Sequence, residues 1–453
     1  MRFFMKSYVR CTVLSLFTLL AAASLHALDR QPAADYHARR VALAGKLNGG
    51  IAVLFAGEEP LLDFMPYRQD EDFYYLTGWN EPGAALLIEA PSPAQGSHPA
   101  QPYREIMFLP TRNLRMELYT GVKLDAATPN AAKLAGVDEV KPMTDLAGTL
   151  NASATENRAI MYRIWSEPDT EQAKSLLAWT ATTLGIGSTP PFKDVREPVQ
   201  ELRAIKDAGE MELLRKASDA SVQAQFAMMQ SVHPGQKERT TAGIIIAKLM
   251  ENGCERVSYA PIVGSGEKST ELHYSDNSQT MKDGDIVVVD AAGEYSMYAS
   301  DITRTVPVNG HFTERQREIY NIVLGAQKAA IDGFVAGKSH WNDPAHKYPD
   351  SLDTIAWNYM NSHGKDLHGQ PLGKYFIHGI GHSVGIDVHD PYDYSQPLQK
   401  GMVFTIEPGI YIPEEKIGVR IEDVFHVKQD GTLECLTCAL PKEADAVEAA
   451  MHK

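Results

Sequence analysis

The sequence predicts an α/β (α+β) protein in two parts, an α/β domain over residues 34–198 and a larger domain over residues 199–433 built on antiparallel hairpins. Three observations carry that prediction. Apolar strands alternate with helical stretches from Ala34 to Pro191, the chain becomes turn-rich around Pro191 to Pro198, and beyond that seam two β-branched hairpins each carry a pair of acids. At 453 residues, against a prior of roughly 150 per domain, two or three domains are expected.

The elements follow in chain order. Arg2, Lys6 and Arg10 precede an apolar run from Cys11 to Leu25, and small residues follow it. That order reads residues 1–27 as a secretory signal peptide, cleaved after Ala27 or, alternatively, after Ala23. The run is short against the roughly 20 apolar residues a spanning helix needs, so no stable membrane anchor is expected. Export follows, to a periplasmic or secreted location. Ile51 to Phe55, Ala84 to Ile88 and Tyr103 to Leu109 read as buried strands, with a Pro/Ser/Gly/Gln loop from Pro91 to Pro102. Arg68 to Gly78 reads as an ordered stretch without an assigned use. A long amphipathic segment from Glu201 to Met229 opens the second domain, and helices are expected at Thr240–Asn252 and Glu314–Val335. Residues 434–453 form a C-terminal tail.

Composition narrows the function. The net charge of −15 argues against nucleic acid, which requires clustered Lys and Arg to replace counterions. Without the leader, three cysteines remain, Cys254, Cys435 and Cys438. The last two, separated by Leu-Thr, are read as a local disulfide staple or two idle thiols, because zinc would require two further ligands nearby.

The two hairpins carry the chemistry. Asp285-Ile-Val-Val-Val-Asp290 and Ser300-Asp301-Ile-Thr-Arg-Thr-Val306 flank a turn. Folding about Tyr295 and Ser296 sets Asp290 opposite Asp301, with Cβ atoms about 5 Å apart. Val403 to Glu407 and Gly418 to Glu422 repeat the construction, and folding about Glu414 and Glu415 sets Glu407 opposite Glu422. Acids normally decorate solvated faces. Here each sits in or beside an apolar run, and burying an unpaired carboxylate costs several kcal/mol unless a cation compensates. Four such carboxylates match the charge of two divalent ions. His378, His382 and His389 follow one another in a Gly-punctuated segment, with His273 upstream. A lone histidine is usually structural, whereas three near a carboxylate site point to function. The absence of HExxH sets aside a single-zinc protease of that kind.

The order His273, Asp290, Asp301, His382, Glu407, Glu422 resembles the pita-bread metallopeptidases, which include methionine aminopeptidase, prolidase and aminopeptidase P. The similarity runs from Glu201 to Val427 and rests on DAAGEYSMYASDITRTVP, HGIGHSVGIDVHD, TIEPGIYI and VRIED, in that order. RQDEDFYYLTGWNEPGAALLI resembles the N-terminal domain that aminopeptidase P shares with creatinase. Met297 stands where the family often has glycine, which is expected to reshape the hairpin turn without touching a ligand.

The resemblance implies a pita-bread catalytic domain behind a creatinase-like α/β domain, and a binuclear aminopeptidase of family M24. Such an enzyme hydrolyses the bond before a proline in the second position by means of a metal-bridging hydroxide. Asp290 would chelate one metal, Asp301 and Glu422 would bridge both, and His382 and Glu407 would complete the other. Two ions about 3.5–4 Å apart can share a hydroxide and clamp the attacked carbonyl. A carboxylate-rich shell with one imidazole suits Mn²⁺, with Co²⁺, Fe²⁺ or Zn²⁺ as alternatives. Glu407 would move the proton, His378 and His389 would hold substrate and stabilise the tetrahedral intermediate, and His273 would line the pocket. Arg420, on the face of Glu422, would steady the ligands from behind. Peptides with proline second are the expected partners, and a homo-oligomer is compatible with this reading.

The alternative is prolidase, which takes Xaa-Pro dipeptides only. The short segment from Glu407 to Glu422 and FYYLTG favour aminopeptidase P, by analogy. Methionine aminopeptidase would leave the N-terminal domain superfluous, and creatinase departs from the metal ligands present here. A non-catalytic binding module would have lost some of them.

Overall fold

The structure, a computed structural model, describes residues 28–58, 67–94, 99–154, 160–162, 178–185, 193–343 and 345–451. The leader read on residues 1–27 lies outside them, as does part of the Pro91–Pro102 loop.

The N-terminal part is built on one six-stranded mixed sheet. Its strands are β1 (Ile51–Phe55), β2 (Ala85–Glu89), β3 (Arg104–Leu109), β4 (Glu139–Pro142), β5 (Ile160–Tyr162) and β6 (Lys193–Asp194). They lie in the order β4-β3-β2-β1-β5-β6, with β1–β2 and β2–β3 antiparallel and the other pairs parallel. The central strands β1, β2 and β3 are mostly apolar without alternation because both of their faces are buried. Ile51, Val53, Leu87, Ile106 and Phe108 pack on Leu146 and Leu150 on one face. Ala52, Leu54, Leu86, Ile88 and Met107 pack on Leu43, Phe73 and Leu76 on the other.

That second core does not end with the N-terminal part. It continues through Met211, Leu214, Met297, Tyr298, Val384 and Ile386 of the C-terminal part, so the two halves share buried apolar surface. Arg68, in the stretch to which the sequence assigned no use, lies on this seam. Its Nε donates to Glu294 at 2.8 Å and its Nη2 to the Ile386 carbonyl at 3.0 Å.

Instead of one long helix over Glu201–Met229 there are two, Arg196–Ala204 and Ala208–Ser231. Asp207 ends the continuity: it caps the second helix in a capping box with Glu210, which satisfies free N–H groups that an unbroken helix would not have. Helices Glu238–Glu251 and Glu314–Gly333 lie close to their expected places.

Two short strands, β7 (Arg256–Val257) and β8 (Ile262–Ser265), lead into the first hairpin and pair with its β10 and β9. The hairpin itself comprises β9 (Ile286–Asp290), β10 (Gly293–Tyr295), β11 (Tyr298–Ala299) and β12 (Thr303–Pro307). Its turn falls on Ser296 and Met297, with φ of 49° and 72°. This is one position later than expected, and β9 pairs with β12 so that Asp290 faces Thr303 and not Asp301. A two-residue slip leaves Asp301 on the same face, diagonal to Asp290. Met297 holds a left-handed conformation that favours glycine, and its side chain, 2% exposed, packs into the shared core.

The second hairpin comprises β13 (Val403–Ile406), β14 (Gly409–Ile412), β15 (Ile417–Arg420) and β16 (Asp423–Val427). The pairs Ile406–Asp423 and Gly409–Arg420 place Glu407 opposite Glu422, the expected register.

Both ladders open at the acids, and a buried glutamine closes each gap. Gln225, on helix Ala208–Ser231, donates to the carbonyls of Ala291 and Ile302 at 3.0 and 3.1 Å. Gln327, on helix Glu314–Gly333, donates to those of Ile406 and Ile421 at 3.1 and 3.3 Å. An unpaired buried carbonyl would be costly, so each long helix supplies a polar group where its hairpin needs one. The duplication read from the acids therefore extends to the helices behind them.

Candidate metal centre

The opened ladders turn the acids into one pocket. The backbone N–H of Glu407 goes to the Ile380 carbonyl at 2.9 Å, and that of Glu422 to the Thr303 carbonyl at 3.1 Å. The second bond ties the two hairpins together. Asp290, Asp301, His382, Glu407 and Glu422 all line a cavity of about 560 Å³, along with His273, His378, His389 and Arg420. The structure thus gathers every site residue expected from the sequence.

Ligand-capable atoms of Asp301, His382 and Glu422 lie within 4.8 Å of one another. His382 Nε2 is 3.3 Å from Asp301 Oδ2 and 3.5 Å from Glu407 Oε1. Its Nδ1 lies 3.1 Å from the Ser383 carbonyl, a contact that makes Nδ1 the protonated nitrogen and leaves Nε2 free to bind. The His382 loop reaches β13 because a Cβ on Gly381 would stand 2.1 Å from the Thr405 carbonyl, which only glycine avoids. His382 N–H then donates to Thr405 Oγ1 at 3.0 Å.

The charges are those of a site built for cations. Burial pushes the carboxyl of Asp290 up, with Arg420 opposing the rise. Burial and then the repulsion of Asp301 and Glu407 push Glu422 well above the usual carboxylate range. Burial raises Glu407 to about 7 against the pull of His382. Burial pulls the His382 imidazole down, but Asp301 and Glu407 outweigh it and lift the group to about 9. Acids that resist ionisation and an imidazole that resists deprotonation mark excess negative charge in a low-dielectric space. Divalent ions would remove that excess, and the oxygen-rich donors with one imidazole suit them. The residues therefore fit the implied metals.

Three groups hold the acids from behind. Arg420 Nη2 donates to Asp290 Oδ2 at 2.7 Å and Nε to Thr303 Oγ1 at 3.2 Å, so this residue steadies the acid of the other hairpin. Thr303 in turn donates to Glu422 Oε2 at 2.6 Å. Tyr259, which no motif in the sequence singles out, has its hydroxyl 2.5 Å from both Asp290 Oδ1 and Asp301 Oδ1. No local signal marks it, because its partners lie 31 and 42 residues away.

The other histidines differ in their freedom. His378 is engaged at both nitrogens, with Nδ1 2.7 Å from the Gly379 carbonyl and Nε2 2.8 Å from the Tyr411 hydroxyl. The network assigns the neutral ring with its proton on Nδ1. Burial and the Arg420 charge hold that ring down at about 4. His389 is exposed and stacks on His382, ring centroids 3.8 Å apart. Desolvation, then the neighbouring His382, hold it down at about 4 as well. His273 is exposed on the cavity wall. Away from the centre, Cys435 and Cys438 close a disulfide and Cys254 is free and buried.

A sunken set of carboxylates with one imidazole, carried on duplicated hairpins, defines a metallopeptidase. Residues 212–429 match the family described as metallopeptidase family M24, and residues 36–162 match the aminopeptidase P N-terminal domain. An Xaa-Pro aminopeptidase of Haemophilus influenzae is 33% identical over 404 residues, covering 85% of this chain and 89% of the relative. Human Xaa-Pro aminopeptidase 3 is 34% identical, covering 84% and 76%. Zn-substituted Escherichia coli aminopeptidase P in complex with product superposes with a TM-score of 0.80 at 30% identity, covering 93% of this chain and 99% of that one. The chain belongs to the Xaa-Pro aminopeptidase (aminopeptidase P) family of M24 metallopeptidases and is a metallo-exopeptidase.

Proposed function

We propose that this enzyme removes the N-terminal residue from peptides with proline in the second position, using two divalent ions held by Asp290, Asp301, His382, Glu407 and Glu422. The observation that carries the reading is the convergence of four acids, three of them buried, and one imidazole on a single cavity. Asp301 and Glu422 would face both ions, Asp290 one and His382 with Glu407 the other. Mn²⁺ is the ion that this oxygen-rich shell suits best. The ions supply a water-derived nucleophile and polarise the attacked carbonyl.

The chain's own residues do the rest. Glu407, on the wall of the metal cavity, takes a proton from the nucleophile and returns it towards the leaving proline nitrogen. His389 presents a neutral ring to the developing oxyanion from its stack on His382. His378 holds the substrate, its unprotonated Nε2 accepting a substrate N–H in place of the Tyr411 hydroxyl. His273, on the wall, meets the residue before proline.

Mass-spectrometric product analysis with Mn²⁺ present tests the proposal on an Xaa-Pro dipeptide and an Xaa-Pro-Yaa tripeptide. Release of free Xaa and Pro-Yaa from the tripeptide is expected. Cleavage of the dipeptide alone would select prolidase, and cleavage of neither would reject the activity.

A further inference from the structure

His389 is exposed, on a loop without regular structure, yet the proposed chemistry needs it in one place. What holds it lies behind the loop. The segment from His382 to His389 is closed at its neck by Asp390, whose N–H donates to the Ser383 carbonyl at 2.9 Å. The same carbonyl receives His382 Nδ1 at 3.1 Å, so the neck sets both stacked rings.

Asp390 is itself gripped from outside the loop. Arg203, near the end of helix Arg196–Ala204, donates through Nη2 to Asp390 Oδ1 at 2.6 Å and to Asp387 Oδ2 at 2.9 Å. Lys206 Nζ holds the other oxygen, Oδ2, at 3.0 Å. Arg203 Nη1 reaches Asp72 of the N-terminal part at 2.6 Å. Arg203, Asp390 and Asp72 are buried, at 3%, 2% and 3% exposed, so solvent does not screen these pairs, and the planar guanidinium also reaches the half-buried Asp387.

We infer that Arg203 is a positioning residue: with Lys206 it fixes Asp390, and through Asp390 the neck of the loop that presents His389 to the reacting carbonyl. A helix between the two halves thereby makes the N-terminal part a support for the active site. The inference rests on the proposed role of His389.

A double-mutant cycle on the Mn²⁺-loaded enzyme tests it, with kcat and KM on an Xaa-Pro-Yaa peptide, metal per chain and thermal unfolding measured together. Arg203→Lys keeps the charge and loses the fork. A misplacement on the order of 1 Å can cost about 100-fold, so a fall in kcat of about 10- to 100-fold is expected, with metal content and KM near wild type. In the His389→Ala background the same change should alter kcat by less than about twofold, because residues that act through one another are not additive. An equal loss in both backgrounds would overturn the inference while leaving His389 catalytic. Wild-type kcat in His389→Ala alone would reject the role of His389 and the inference with it. Should Arg203→Lys fail to fold, Asp72→Asn, which removes an Arg203 partner outside the loop, takes its place in the cycle. A loss confined to the background that retains His389 is then expected, and an equal loss in both would again overturn the inference.

Discussion

Tyr259→Phe isolates the hydrogen bonding behind the metal centre. The change deletes one oxygen and keeps the ring, so packing is preserved and no large cavity opens. The hydroxyl lies 2.5 Å from an oxygen of Asp290 and one of Asp301. It carries a single proton and so donates to one of them at a time. The loss is therefore one charge-assisted hydrogen bond, about 1.5–3 kcal/mol. That is about 10- to 100-fold in affinity or rate, the loss typical of groups that orient metal ligands. Calorimetric titration of Mn²⁺ into metal-free enzyme, with kcat measured at saturating metal, should show a loss in that range. Metal affinity and kcat within about twofold of wild type would refute the idea that Tyr259 orders these two acids.

Two further outcomes follow from the same geometry. His382→Ala should lose metal along with activity, whereas His389→Ala should keep its metal and lose about 10²- to 10³-fold in kcat, the usual cost of one transition-state donor; metal analysis with steady-state kinetics decides, and the reverse pattern would move the ligand to His389. Metal affinity should rise with pH, because the proton on Glu407 is held up to about 7 and that on His382 up to about 9, and both must leave before the ions bind. Calorimetry in buffers of different ionisation enthalpy near pH 6 should therefore count protons released on binding, and none released would contradict the assignment.

Much of the centre was legible because its chemistry is local in the chain. An acid at the end of a β-branched strand and glycines between histidines are signals within a few residues. The second register followed from a turn centred on Glu414 and Glu415, as expected. The first slipped by two because Met297, a poor residue for a left-handed turn, is held there by the core it enters, which no local pattern reports. Tyr259, Gln225, Gln327 and the Arg203 cluster were invisible for the same reason: each works on atoms brought near by folding alone. Arg420 was found as a support from its strand position, but its acid partner, Asp290, is 130 residues distant on the other hairpin.

The central claim is that one acid pair serves two ions, and Asp301→Ala tests it most directly. Mass spectrometry under native conditions, or elemental analysis after dialysis against Mn²⁺, should find two ions per chain in the wild type and loss of both in the variant. Two ions retained by Asp301→Ala with near-normal turnover would contradict that claim.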